Sequence, residues 1–428
     1  MTMTKYGALV QKARANLRTN DARFTESANL SIENFSEADS AFSVWARELD
    51  KVNRHITVDS SHIKVAEAAY EDIAQHLVEK LKWPRDAINI LPQGSARTQT
   101  LINSPDASKF DIDAVCSVDI SRIESYDPMR FFDEVGRALA EWNPVAKKRC
   151  WRIEFPNTRF YIEFTPSVPL GTVPAKLTEV AQLKPTSAYK DTALAVVNTP
   201  TRSWKTSNPE GFANWVNEQS GKLLLVALSL EFAEALAKDA NIAPVPQQDV
   251  PLSDTLRVAI RLFKRHRDMA VRRGFLEGEF KPISVIIVTL LTQCYQGMAD
   301  NNERYGHPIK LLVDMAKLFP HMIEQIDGKY CVLNPTVEGE NFAERWNDGQ
   351  DGIKRKMAFD AWCKLLATDL SGILKERDEQ AIQKRVREVF GCPGDTKSDS
   401  PGSSSGSVGL APKAPSRAIA PPASAGLA

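Results

Sequence analysis

Three short stretches, Gln93-Gly94-Ser95, Asp111-Ile112-Asp113 and Phe160-Tyr161-Ile162-Glu163-Phe164, decide how this chain folds. Ala87 to Leu91 reads as a short strand that leaves through the turn Pro92-Gln93-Gly94-Ser95. From Asp111 to Val118, apolar Ile112, Ala114, Cys116 and Val118 fall at every second position and share one face of a strand. Asp111 and Asp113 therefore point together to the other face. Trp151 to Phe155 and Arg159 to Phe164 read as a hairpin around Pro156-Asn157, with Glu163 on its second strand and Pro166 and Pro169 stopping it.

These positions carry a common chemistry. A Gly-Ser turn exposes backbone N–H groups and a hydroxyl to phosphate, and a glycine lets the phosphate approach the backbone closely. Magnesium takes oxygen ligands, and transfer to an α-phosphate needs two such ions roughly 3.5–4 Å apart. Asp-x-Asp alone is a weak signal, since a solvated strand face produces it as often. A Gly-Ser turn, then paired acids on the next strand, then an acid between apolar residues on a later strand is specific. Asp111, Asp113 and Glu163 are thus the candidate catalytic and metal-binding residues, for two magnesium ions or manganese in their place. Gln93, Gly94 and Ser95 are candidate nucleotide-binding residues, and the layout points to nucleotidyl transfer. Glu154, in Arg152-Ile153-Glu154-Phe155, has similar apolar flanks and is the alternative third acid.

The 428 residues suffice for two ordinary domains or one bilobed one. Fifty-four basic residues balance 54 acidic ones, so no global field advertises a long polyanion, and no stable nucleic-acid partner is expected. Six cysteines and six histidines are scattered without zinc-ligand spacing. The N-terminus lacks a secretory h-region, and the most apolar run, Ile283 to Leu291, is too short to span a bilayer. A cytoplasmic protein with no membrane partner is the expectation.

Helical spacing marks Ser61 to Leu81, with Ser60 or Ser61 as cap, and Met129 to Trp142. Later helices are expected at Leu256 to Arg272, from Lys281-Pro282-Ile283-Ser284 onward, at about 308–319 and at 352–390. Strands first and helices later define an α+β lobe followed by a helical lobe. The chain divides into a helical segment at 1–60 packing on the core, a core lobe at 61–200, a helical lobe at 201–390, and a tail at 391–428. More than half of that tail is Gly, Pro and Ser, so disorder is expected there.

Further stretches match in both lobes. Trp204-Lys205-Thr206-Ser207-Asn208-Pro209-Glu210-Gly211-Phe212, Leu262-Phe263-Lys264-Arg265-His266-Arg267-Asp268 with Lys281-Pro282-Ile283-Ser284, and Asn334-Pro335 with Glu340-Asn341-Phe342-Ala343-Glu344-Arg345-Trp346 join the acids. Over about residues 60 to 350 the chain resembles the CD-NTases, bacterial relatives of cyclic GMP-AMP synthase in the polymerase-β-like nucleotidyltransferase superfamily. The resemblance implies a polymerase-β-like core with a helical C-terminal lobe, bilobed around a central cleft. It implies that Lys264 and Ser284 contact the donor triphosphate. Many relatives have aspartate where this chain has Glu163, and Pro166 after it favours Glu163 over Glu154 as the family's strand end. Trp204 to Phe212 reads as a structural loop and helix start, with Ser207 or Asn208 as cap and Pro209 at the first position, and Asn341 to Trp346 reads as packing; Arg265, His266 and Arg267 are left unassigned.

The function implied is synthesis of a cyclic oligonucleotide, of the cGAMP type, from ATP and GTP. Such a product is read by a separate effector in the anti-phage systems called CBASS. Some synthases of those systems have their C-terminus joined to other molecules by an E1/E2-like enzyme, and the small residues Ala425-Gly426-Leu427-Ala428 suit that use. The competing readings are an enzyme that makes linear oligonucleotides or extends RNA ends, and an inactive nucleotide-binding antitoxin. Three intact acids speak against the latter.

Overall fold

The structure is a computed structural model and describes residues 3–21, 40–105, 109–122, 127–173, 184–222, 224–225, 247–306 and 308–392. The expected tail lies outside the described residues beyond Cys392.

A seven-stranded mixed sheet organises the first lobe. Its centre is β2 (Phe110–Val118), whose Ile112, Ala114, Cys116 and Val118 are fully buried. β1 (Ile88–Pro92) lies antiparallel on one side of it, with Ile90 opposite Cys116 and Pro92 opposite Ala114. On the other side the long β5 (Phe160–Pro169) runs parallel. The first half of β5 pairs with β4 (Trp151–Glu154), which pairs in turn with β3 (Val145–Ala146). Its last residues pair with β6 (Leu194–Asn198), and β6 pairs with β7 (Ser203–Ser207).

Two local expectations need correcting. Pro166 does not stop β5. Pairing with β4 ends at Phe164 and pairing with β6 begins at Ser167, so the proline sits in the gap between two partners. A missing N–H is tolerated where no ladder bond has to be made. The segment from Trp204 to Ser207 is an edge strand and not a loop, although Asn208 does cap the following helix by accepting from Gly211 N–H at 2.9 Å.

The apolar face of the sheet is covered by two helices. α3 (Ser60–Leu81) brings Ile63, Ala66, Tyr70, Ile73 and Leu77, and α5 (Pro128–Ala138) brings Phe131, Phe132 and Val135. The cap of α3 is Asp59, whose carboxylate accepts from Ser61 N–H, and neither Ser60 nor Ser61. A single turn, α4 (Gly94–Arg97), follows β1 on the opposite face.

A second apolar core builds the helical lobe from α6 (Pro209–Ser220), α7 (Thr255–Arg272), α8 (Ser284–Asp300), α9 (Pro308–Leu318), α10 (Gly349–Lys375) and α11 (Glu379–Phe390). The N-terminal helices α1 (Lys5–Asp21) and α2 (Ser40–His55) join this core through Val10, Ala13, Trp45, Leu49 and Val52. The helices Lys5–Asp21 and Ser40–His55 therefore pack mainly on the helical lobe rather than on the sheet lobe. The reason is backbone contact: Gly297 on α8 is so close to Tyr6 that a Cβ there would lie 2.4 Å from its carbonyl oxygen.

Candidate active site

Strand register decides which acids meet. Across the polar sheet face Asp113 stands beside Glu163, and Glu163 beside Arg152; in the next row Asp111 stands beside Tyr161, and Tyr161 beside Glu154. Adjacent strands lie about 4.8 Å apart, so Glu163 is one strand from the aspartates and Glu154 about twice as far. Glu154 is moreover half-exposed and paired with Lys109 at 3.0 Å. Among the two third-acid candidates, the register brings Glu163 to the aspartates.

The turn before them is locked to the same place. Gln93 N–H donates to the Asp113 carbonyl at 2.9 Å, and Gly94 adopts φ +59°. A Cβ on Gly94 would lie 2.1 Å from Oδ2 of Asp113. Glycine is therefore demanded twice, by a left-handed backbone and by the carboxylate against it.

A cleft of about 660 Å³ opens between this sheet face and the helical lobe. That size lies inside the roughly 300–1,000 Å³ range of small-molecule sites. Gln93, Gly94, Ser95, Asp111 and Asp113 form one wall, and Lys264 and Ser284 face them from α7 and α8. The resemblance had singled out those two residues, and the fold places both across the cleft from the acids. Arg265 and His266, left unassigned before, turn away from it. The Trp362 indole N–H donates to His266 Nδ1 at 3.0 Å, so Nε2 carries the ring proton toward Asp369.

Electrostatics in the cleft follow from burial. The Asp113 carboxyl is pushed well above the usual carboxylate range, first by desolvation, then by the negative charges of Asp111 and Glu163, with Lys264 opposing. Lys264 is nearly buried and its ammonium is lowered to about 8, first by desolvation and then by Arg267, with Asp111 and Asp268 opposing. Its Nζ donates to the Thr100 carbonyl at 2.8 Å. Ser284 Oγ accepts from Arg267 at 3.0 Å and keeps its own proton to donate.

Glu163 is held differently. Its Oε1 receives both Arg152 NH2 at 2.7 Å and Nε at 3.3 Å, and its Oε2 faces the Cys150 thiol at 3.7 Å. It does not line the cleft. Among the described residues no three of His, Cys, Asp and Glu stand as a ready-made metal cluster. The donor set nonetheless fits a hard divalent cation: carboxylates on neighbouring strands, one of them made costly to ionise by its neighbours.

Several residues of the cleft were not foreseen. Arg267, Asp268 and Lys281 line it, with Asp268 pairing both basic groups. Arg267 follows Lys264 by three residues, so helical spacing could have placed it on the same face. Arg149 also lines the cleft, with its Nε buried and lacking a hydrogen-bond partner. No local pattern marks it.

A mixed sheet that presents acids beside a Gly-Ser turn, closed by a helical lobe with a lysine and a serine, defines a polymerase-β-like nucleotidyltransferase. Residues 88–166, from β1 through the Glu163 strand, match the family model described as cyclic GMP-AMP synthase DncV-like, nucleotidyltransferase domain. The c-di-GMP synthase of Roseivirga ehrenbergii is 24% identical over 314 residues, covering 73% of this chain and 75% of the relative. The CD-NTase CdnG of Bradyrhizobium diazoefficiens, solved with GTP, superposes with a TM-score of 0.53 at 17% identity, over 83% of this chain and 95% of that one. CdnC of E. coli, solved in a complex with a HORMA protein, superposes with a TM-score of 0.50 at 11% identity, over 84% and 100%. Residues 88–166 therefore carry a DncV-like nucleotidyltransferase domain, and the fold across both lobes is like that of CdnG and CdnC.

Proposed function

We propose that this protein is a cyclic oligonucleotide synthase that joins nucleoside triphosphates, ATP and GTP foremost, with release of pyrophosphate. The observation that carries the reading is the cleft itself: Asp111 and Asp113 beside the Gly94-Ser95 turn, with Lys264 and Ser284 facing them. The relative from Roseivirga ehrenbergii, a c-di-GMP synthase, supports the same reading.

Each side chain has a distinct task. The Gly94-Ser95 turn offers N–H groups and a hydroxyl to the donor's phosphates. Lys264 exchanges the Thr100 carbonyl for a phosphate oxygen, and Ser284 donates its hydroxyl beside it. Arg267, Lys281 and Arg149 add positive charge around the same space. Asp111, Asp113 and Glu163 would hold two magnesium ions, which when bound lower the acceptor hydroxyl's pKa and neutralise the leaving pyrophosphate. The acceptor ribose oxygen attacks the α-phosphorus, the bond to pyrophosphate breaks, and a carboxylate oxygen of Glu163 takes the hydroxyl proton. The linear product then turns in the cleft, and a second round closes the ring. In this reading the product is a cytoplasmic signal for a separate effector of CBASS defence.

The test is a mixture of the four nucleoside triphosphates with magnesium, followed by mass spectrometry and phosphatase treatment. Phosphatase-resistant cyclic products are expected. Phosphatase-labile oligomers would overturn cyclisation, and absence of pyrophosphate release would overturn nucleotidyl transfer.

A further inference from the structure

We propose that Arg152 is a resident cation that parks Glu163 away from Asp113 until a divalent cation enters, and then yields Glu163 to it. The inference rests on reading Asp111, Asp113 and Glu163 as cation ligands.

The row Asp113, Glu163, Arg152 runs straight across three neighbouring strands. Glu163 thus stands between a like charge and an opposite one, and its carboxylate goes to the opposite one. Arg152 binds one carboxylate oxygen twice, and the Cys150 thiol faces the other. The pair is only about two-thirds to three-quarters buried, so it is not worth much as a structural ion pair, and rearrangement is cheap. Arg152 also has somewhere to stay after release. Its guanidinium already stacks over the Tyr161 ring at 4.2 Å from the centroid, and Glu154 occupies the row beside it. The arrangement keeps three carboxylates from facing one another uncompensated in the empty cleft. It also sets a threshold, because a cation that claims Glu163 must displace a guanidinium.

Arg152 is therefore a positioning residue, and its signature is metal affinity in the absence of nucleotide. Manganese binding to the full nucleotide-free chain is measured by electron paramagnetic resonance. Arg152→Gln is expected to tighten the dissociation constant by about fivefold, the most that breaking a partly exposed ion pair costs. Arg152→Lys keeps the charge and should stay near wild type. On a Glu163→Gln background the effect of Arg152→Gln should vanish, as a coupled pair requires. Unchanged or weaker binding in Arg152→Gln, or an equal gain in Arg152→Lys, would overturn the proposal. In the wild-type chain, magnesium titration followed by nitrogen-15 NMR should shift the Arg152 Nε–H signal, and a signal that stays put also overturns it. Manganese binding that survives Asp113→Asn would instead sink the ligand reading on which the proposal stands.

Discussion

At Gly94 the chain turns left-handed with φ +59°, and a methyl group would collide with the Asp113 carboxylate at 2.1 Å. Gly94→Ala must therefore move either the phosphate turn or the acid. A displacement of that kind costs about a hundredfold in rate, with the fold kept, and pyrophosphate release against circular dichroism measures both. A second expectation concerns Lys264. Its ammonium, lowered to about 8 by burial and by Arg267 and Arg261 against the pull of Asp111 and Asp268, is charged below that pH and neutral above it. A bound triphosphate favours the charged form, so binding above that pH takes up a proton. Affinity for a non-hydrolysable triphosphate should fall between about pH 7 and pH 9, and Lys264→Met should weaken binding and flatten the slope. Calorimetry across that range decides it; a flat wild-type profile would remove Lys264 from the triphosphate site. The alternation of Ile112, Ala114 and Cys116 made the orientation of Asp111 and Asp113 legible from the chain alone. The bond of Glu163 to Arg152 was not, because it depends on the register between two strands and local spacing carries no register.

Along α7 the basic side chains form a ladder on one stretch of backbone. Arg257 donates to the Thr98 carbonyl at 3.1 Å, Lys264 to Thr100 at 2.8 Å, Arg265 to Asn103 at 3.2 Å and Arg272 to Pro105 at 2.9 Å. That stretch leaves the phosphate turn and joins the two cores, Leu101 belonging to the first and Ile102 to the second. Arg265 reaches further, to the carbonyls of Phe390 and Gly391 at the end of α11. Arg265→Met would leave these carbonyls without their donor, and orphaned buried acceptors cost about 1–3 kcal/mol each. A loss of roughly 3 kcal/mol in urea unfolding is expected, and a loss below about 1 kcal/mol would mean that water replaces the guanidinium. A basic run on a helix ordinarily signals a solvated face, yet Lys264, Arg265, His266 and Arg267 are all buried. The acceptors of Lys264 and Arg265 are backbone carbonyls, one of them 162 residues away, and carbonyls leave no trace in residue type. The helices themselves were readable from their apolar spacing. The β6–β7 edge was less so, because Trp204 to Ser207 resembles a loop until its pairing with β6 is seen.

At the scale of the whole molecule, the cleft is a joint between two separately packed cores, and α1 serves only the second. Nothing in the composition of Lys5–Asp21 tells which core it faces; the close fit at Gly297 does. A side chain there would meet Tyr6 O at 2.4 Å and Val10 Cγ2 at 2.7 Å, so Gly297→Val should lift α1 from α8. Arg14, bound to Glu303, Tyr305 and Asp314, would still tether it. Overpacking of this kind costs about 1–3 kcal/mol. Ser284 opens the same helix about 20 Å away at 1.5 Å per residue, and the sheet lobe does not share this core. Hydrogen exchange should therefore quicken across α1 while β2 stays protected, and the rate of pyrophosphate release at saturating nucleotide should change by less than about twofold. A large fall in that rate with β2 still protected would show that α1 holds the α7–α8 wall in place. The N-terminal helix would then belong to the catalytic unit and not merely to the packing of the helical lobe.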